Sequence, residues 1–567
     1  MSASSGPFVT LRRLLRVGWP FWHLKIRVAW GHLILVVILL LVNAKLLVFI
    51  NQTAGAFMTA IEKRSITNFD HYLVIYALSL AVAVPFQVSY MFLRTRLALK
   101  WRLWMSTGLI GRYYKNRAYY HMIKNAGIDN PDQRMTQDPD TFCNSSIGLG
   151  ISALESVITI SMFSGLLWSI SQTLTYTVLA YALVGSLLAV SIGHSLAGLA
   201  FRQSATEASL RFLLANTRRD ATNLALYQSE RLAQKQAKTG LGNVIDTLLE
   251  IMRVNRNLQS FTVGYNLLVP LIPAAICAPL YFRHEMDFGV ITQATMAFTA
   301  VFNAATIFIA QFGGISNFAA NINRLGSFVE ALDACEKTNI EPNMVEVTSG
   351  EDIVFEDVTL LANDSTRPLI AELSLTVKAG SALLICGTGS LVKASIVKAI
   401  TSLELRGSGK MQTPLPHHIS YLSNDPLLID GTLREVLCAG FDEREQPNDV
   451  KLHKALRHAK LMDLAARCSG LDKPQSWKSI LSKGELQRLA LARLLLSNPP
   501  YAIIDEATEV LGENTEPRLY AFLRSMDSTI ITVSNSDATA EFHDQVLEVH
   551  SDGTWTVRAP DTAPAGQ

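Results

Sequence analysis

Trp477-Lys-Ser-Ile-Leu-Ser482-Lys-Gly484-Glu485-Leu-Gln487-Arg488 is followed, after a leucine-rich run, by Tyr501-Ala-Ile-Ile-Asp505-Glu506. The second segment reads as a buried strand that ends in two adjacent carboxylates. The first reads as the N-terminus of a helix, carrying Ser482, Gly484 and Glu485. A helix N-terminus faces anions well, and a strand-end carboxylate can position or deprotonate a water. Together they direct attention upstream, to where a phosphate-holding loop should lie.

That loop is present in altered form. The apolar run 382–386 ends at Gly387, and Gly387-Thr-Gly389-Ser-Leu-Val392-Lys393-Ala394-Ser395 follows, leading into an apolar helix at 396–403. Strand, loop, lysine, helix is the topology of a P-loop. It predicts an α/β P-loop NTPase domain with ATP as ligand and Mg²⁺ as its cation. Gly387, Gly389, Lys393 and Ser395 are the candidate phosphate-side residues. Asp505 is the candidate Mg²⁺ holder, acting through a bound water, and Glu506 the candidate that positions the attacking water. Two departures stand out. Val392 occupies the second glycine position, where a branched side chain is expected to narrow the cradle. Ala394 occupies the position of the metal-holding hydroxyl. Ser395 comes one residue late, about 100° further round the helix.

The first 330 residues have a different texture. Only 17% of the chain is charged and its mean hydropathy is +0.23. The apolar residues gather in long uncharged runs, each near the ~20 residues a helix needs to cross a bilayer. Six spans are expected, at 31–50, 72–93, 147–170, 174–199, 259–283 and 289–312. Residues 94–145 and 200–258 are rich in Arg and Lys, whereas the other connections are short or nearly charge-balanced. The positive-inside rule places both basic connections, both termini and the soluble domain on the cytoplasmic side. The basic connections have helical texture, so the spans should continue as helices well past the membrane. Pro270, Pro273 and Pro279 should kink the fifth span. Lys45, Glu155 and His194 are ionisable groups within spans; Glu155 is the deepest, as a cavity-facing group or a helix–helix hydrogen bond.

The domain reading is therefore an N-terminal cytoplasmic segment (1–30), a six-helix membrane domain (31–335), a linker (336–350), a nucleotide-binding domain (351–557) and a disordered tail (558–567). The net charge of +2 gives no sign of nucleic-acid binding. The six cysteines show neither metal-binding nor disulfide spacing. No cleavable leader is read at the N-terminus.

With these motifs in place, the chain resembles bacterial half-size ABC transporters of the subfamily D type, and among them the SbmA/BacA-like ATP-binding/permease proteins. The resemblance rests on several further elements: Ile128-Asp-Asn-Pro-Asp-Gln-Arg134, Glu207-Ala-Ser-Leu-Arg-Phe212, Ala278-Pro-Leu-Tyr-Phe282, Ile322-Asn-Arg-Leu325, Gly431-Thr-Leu-Arg-Glu435 and Phe542-His-Asp-Gln-Val-Leu547. It implies an exporter-type membrane domain in the bacterial inner membrane. It also implies a dimer in which Ser482, Gly484 and Glu485 of one subunit close over the γ-phosphate held by the other. By the same resemblance Asn424 stands for the Q-loop glutamine and Asn535 for the switch histidine. The D-loop reads Glu509-Val-Leu-Gly512, and no aromatic lies near Ala362 to stack on adenine. Three readings stay open: a homodimer that hydrolyses ATP slowly, an impaired subunit of a heterodimer, and an ATP-independent, proton-coupled permease with Glu155 as its coupling group. The resemblance implies a small amphiphilic or peptide-like substrate and contact with membrane lipid.

Overall fold

The computed structural model describes residues 7–125, 128, 130–337, 344–362, 368–441, 446–506, 516–534 and 537–560. The chain divides into two compact units, Met1–Thr338 and Asn339–Gln567.

The first unit is helical. Its helices are α1 (Pro7–Leu24), α2 (Ile26–Glu62), α3 (Ile66–Tyr114), α4 (Ala118–Asn125), α5 (Pro131–Ile170), α6 (Gln172–Gly193), α7 (Leu196–Arg219), α8 (Ala221–Leu226), α9 (Glu230–Leu268), α10 (Leu271–Phe282), α11 (Phe288–Ala310) and α12 (Phe312–Lys337). Among the described residues, six helical stretches are long and apolar enough to cross a membrane. The first five overrun the spans read from hydropathy, as the helical texture of the basic connections suggested, whereas the sixth, Phe288–Ile307, stops short of the expected 312. The α3 helix runs on from its apolar part through Arg94, Arg96, Lys100 and Arg102 without a break. Pro270 separates α9 from α10, because its missing N–H cannot continue the ladder. Pro273 and Pro279 lie within α10.

Large apolar side chains such as Val74, Leu78, Val84, Leu183 and Leu187 stay exposed on these helices, the surface a lipid environment takes up. The interior is built at a few tight crossings. Phe21 of α1 stacks on Trp101 of α3 at 5.5 Å, and Trp101 meets Phe142 of α5 edge-on at 5.6 Å. Gly55 of α2 and Gly289 of α11 touch so closely that a Cβ on Gly289 would lie 1.8 Å from the Gly55 carbonyl oxygen. Small residues of this kind let membrane helices approach backbone to backbone.

Two sequence elements that are far apart meet in one buried network. Asp138 of α5 is almost wholly buried and accepts from Arg324 Nη2 at 2.9 Å, Arg324 Nε at 3.2 Å and Asn321 Nδ2 at 3.1 Å. Arg134, the last residue of the Asn-Pro-Asp-Gln-Arg element, donates to the Arg324 carbonyl at 2.8 Å and to Ser327 Oγ at 3.0 Å. The network ties α5 to α12. Asp129 of that element lies outside the described residues. Glu155 is half-buried and accepts from Tyr90 Oη of α3 at 3.3 Å, so it takes the helix–helix role. Lys45 and His194 are exposed.

The second unit is α/β. Its elements are β1 (Glu346–Ser349), β2 (Ile353–Leu361), β3 (Pro368–Val377), β4 (Ala382–Cys386), α13 (Ser390–Ile400), β5 (Gly407–Thr413), β6 (Ile419–Ser423), α14 (Leu433–Leu437), α15 (Asp449–His458), α16 (Leu464–Arg467), α17 (Trp477–Ile480), α18 (Lys483–Ser497), β7 (Tyr501–Asp505), α19 (Glu516–Arg524), β8 (Thr529–Val533), β9 (Gln545–Val549) and β10 (Trp555–Arg558). One sheet has the order β1-β5-β2-β3. The other has the order β10-β9-β4-β8-β7-β6 and is parallel except at β10. The central strands β4, β7 and β8 are buried on both faces, as a parallel sheet covered on both sides requires, and Thr529 and Thr532 of β8 are buried with them. Their C-terminal ends bring Gly387, Asp505 and Ser534 to one edge, where open α/β sheets bind ligands.

Candidate nucleotide site

The β4 strand delivers the chain into the loop 387–389, and α13 leaves it. Gly387 has φ +107°, and a Cβ there would lie 2.1 Å from the Val549 carbonyl oxygen. Only glycine fits that turn against the end of β9. Gly389 caps α13, and its own Cβ would lie 2.8 Å from the His550 carbonyl oxygen. No side chain caps α13, whereas α14 and α18 each carry a full capping box, Thr432 with Glu435 and Ser482 with Glu485. A helix start without a side-chain cap beside a glycine loop is the arrangement an anion completes.

The two altered loop residues behave differently from each other. Val392 points into the hydrophobic core with Ile396 and Ile385 and is 3% exposed. Most of its side chain packs in the core, and its Cγ2 also lies against the loop, 3.2 Å from where a Gly389 Cβ would be. Ala394 offers no hydroxyl. Ser395 is buried and its Oγ donates to the Val392 carbonyl at 2.8 Å, so that hydroxyl is used inside the helix.

Lys393 is 2% exposed, and its Nζ lies 3.4 Å from the Ser534 carbonyl oxygen and 4.0 Å from Glu506 Oε1. The lysine thus joins the loop to the end of β7. Glu506 follows β7 with φ +48°, and its N–H donates to the Val533 carbonyl at 2.9 Å. A left-handed backbone at a non-glycine residue is strained, and here it turns the carboxylate toward Lys393.

Asp505 has a partner that motif reading missed. Tyr421 Oη of β6 donates a hydrogen bond to Asp505 Oδ2. Burial pushes the Tyr421 phenol up, and the hydrogen bond and charge of Asp505 push it further. Strands β6 and β7 are parallel, with Tyr421 opposite Ile503 and Ser423 opposite Asp505. The period of two puts Tyr421 on the same face as Asp505, one phenol length away. Nothing local in the sequence around Tyr421 signals this; it requires the pairing of two strands about eighty residues apart.

Asn424, at the Q-loop position, has its side-chain oxygen accepting from Gln487 Nε2 at 2.9 Å, and its carbonyl accepts from the same nitrogen at 2.8 Å. Gln487 is buried in α18. Ser482 caps α18: its Oγ accepts from the Glu485 N–H at 3.3 Å, and Glu485 Oε2 accepts from the Ser482 N–H at 2.9 Å. Arg467 donates to Glu485 at 2.6 Å and, with the Ser482 contacts, pulls the Glu485 carboxyl down to about 2. Gly484 sits in the first turn of α18. Asn535 and the D-loop stretch 509–512 lie outside the described residues.

These residues fit a nucleotide phosphate: an uncapped helix start, a glycine turn and a buried lysine converge at one sheet edge. They do not fit a tightly held Mg²⁺. The loop hydroxyl is absent, the Ser395 and Asn424 oxygens are engaged, and one of the two carboxylates already accepts from a phenol.

A membrane-crossing helical unit followed by a P-loop unit with a capped signature helix defines an ATP-binding transport subunit. Residues 18–282 match the ABC transporter transmembrane region 2 family and residues 370–509 match the ABC transporter family. The chain is 36% identical to an uncharacterized ABC transporter ATP-binding protein of Synechocystis sp., over 98% of this chain and 84% of that protein. It is 27% identical to the chloroplastic ABC transporter D family member 2 of Arabidopsis thaliana, over 95% and 86%. It is 24% identical to an inner membrane ABC transporter ATP-binding protein of Escherichia coli, over 94% and 96%. The chain belongs to the ABC transporter family, with one membrane region and one ATPase domain as in half-size transporters homologous to subfamily D. It is a multi-pass membrane protein with homologues in the bacterial inner membrane.

Proposed function

We propose that this chain is the catalytically impaired half of a heterodimeric transporter that moves an uncharged amphiphile across the bacterial inner membrane. The observation that carries this reading is an asymmetry within the ATPase unit. The signature segment at the start of α18 keeps Ser482 and Gly484, whereas in the chain's own loop position 394 carries no hydroxyl and Asp505 already accepts from Tyr421. Such a subunit completes the partner's site with its signature while its own site, built on Gly387, Gly389 and Lys393, binds ATP and turns it over poorly. SbmA/BacA-like ancestry and a cytoplasmic ATPase unit belong to the same reading.

The substrate class is supported by a cavity of about 680 Å³ between α6, α7, α9 and α11. Asn255, Gln259, Thr262 and Asn266 form one polar face of α9 toward it, and Tyr265 and Phe302 supply an aromatic wall. Its lining among the described residues carries no charged side chain. A charged ligand buried there would lack a counter-ion, which in a membrane is costly.

A homodimer with slow turnover is the second reading, favoured by the retained contact between Lys393 and Glu506. A third reading, an ATP-independent proton-coupled permease with Glu155 as its coupling group, draws less support, since Glu155 accepts from Tyr90 Oη of α3. The deciding experiment is ATP hydrolysis by the purified chain in lipid nanodiscs, alone and with a half transporter whose P-loop is intact, with Glu506→Gln of this chain as control. Turnover only in the mixture, unaffected by Glu506→Gln, is expected. Turnover by the chain alone that Glu506→Gln abolishes would replace this reading with the homodimer.

A further inference from the structure

We propose that Tyr421 takes the place of the divalent cation at Asp505, so that nucleotide enters this chain's own site without needing Mg²⁺. The inference rests on the reading of that site as one that binds nucleotide.

Mg²⁺ keeps several of its waters and is held in such sites by one or two carboxylates together with substrate phosphates. In this chain a water on the cation would compete with the Tyr421 phenol for the Asp505 carboxylate. Strand pairing brings that phenol to the right face: the β6–β7 register puts Tyr421, 44% exposed, on the side of the sheet that carries Asp505. The loop offers little to offset the loss. Ser395 Oγ donates to Val392, and Asn424 Oδ1 accepts from the buried Gln487. Position 394 carries a methyl group.

The triphosphate charge has another counterpart within the chain. Lys393 Nζ sits at the same sheet edge, against Ser534 and Glu506, and the uncapped start of α13 adds its N–H groups. Phosphate binding then depends on the lysine and the helix, and Asp505, still a carboxylate, is held by the Tyr421 hydrogen bond where it would otherwise accept from a metal-bound water. Tyr421 acts as a positioning residue: it touches neither phosphate nor base, and acts through Asp505.

The test uses the full chain in lipid nanodiscs with radiolabelled ATP, by equilibrium binding with Mg²⁺ and with EDTA. The wild type is expected to bind equally well in both, and to show no ATP-dependent bound signal with Mn²⁺ in electron paramagnetic resonance. Tyr421→Phe frees Asp505, so Mg²⁺ should then tighten ATP binding about tenfold or more, the scale of one hydrogen bond to a charged group, and a bound Mn²⁺ signal should appear with ATP. A merely structural tyrosine would lower stability without creating a metal signal. Mg²⁺-dependent binding by the wild type would overturn the inference alone, and that comparison decides even if Tyr421→Phe fails to fold. A metal-independent Tyr421→Phe would also overturn it. Absence of ATP binding under every condition would overturn both the inference and the nucleotide-site reading.

Discussion

Val392 and His543 show how single residues report on their surroundings. Val392 stands where a glycine is expected, yet its side chain is core. Val392→Gly should therefore destabilise the ATPase unit by about 2 kcal/mol, from lost burial and added backbone freedom. A fall in thermal stability with no gain in ATP affinity is the expected result; tighter ATP binding without a stability loss would contradict the packing assignment. His543 is 3% exposed, with Nε2 2.7 Å from Thr532 Oγ1 and Nδ1 2.7 Å from the Thr539 carbonyl oxygen. Burial holds its imidazole below the ordinary value. The folded unit thus takes up that proton less readily than the unfolded chain. Its contribution to stability is full above about pH 6.5 and is lost as pH falls toward the lowered folded value. Amide exchange over residues 529–543 should accelerate on acidification across that window, and His543→Gln should flatten the response.

At the scale of elements, caps and crossings carry the energetics. The α14 box joins Thr432 and Glu435 away from the nucleotide loop, with the Glu435 N–H donating to Thr432 Oγ1 at 3.1 Å. Thr432→Ala should cost about 1 kcal/mol, read by chemical denaturation of the ATPase unit. In the membrane unit, Gly289→Ala should lower the thermal midpoint in detergent because its Cβ would strike the Gly55 backbone. Gly31→Ala is the control, since nothing lies within 4 Å of a Cβ there. Equal behaviour of the two variants would refute the tight α2–α11 crossing. The same scale separates what was legible from what was not. Spans, P-loop strand and helix followed from composition and period, because each is a local pattern. Of the Asp138–Arg324 network, Arg134 and Arg324 were visible in two separate motifs and Asp138 in neither, since a side chain on α5 and one on α12 share no local signal.

For the whole molecule, the prediction concerns division of labour between two subunits. In a mixture with an intact half transporter, Ser482→Arg in this chain should abolish turnover, because the signature serves the partner's phosphate. Lys393→Ala should leave most of that turnover intact, because the lysine serves only this chain's own site. The reverse pattern in a phosphate-release assay would assign the working site to this chain.

The class of protein was fixed by pattern alone: long uncharged runs with basic connections, a strand–loop–lysine–helix, and a serine–glycine helix start before a strand ending in Asp505 and Glu506. Each is a property of neighbours in sequence, set by periodicity, charge and backbone freedom. Tertiary structure decided the state of the site. Whether Val392 blocks a cradle or fills a core depends on which face of α13 is buried. Whether Asp505 is free for a cation depends on the register of β6 against β7. Side chains on paired strands meet because of the fold, and no local reading of either strand contains that distance.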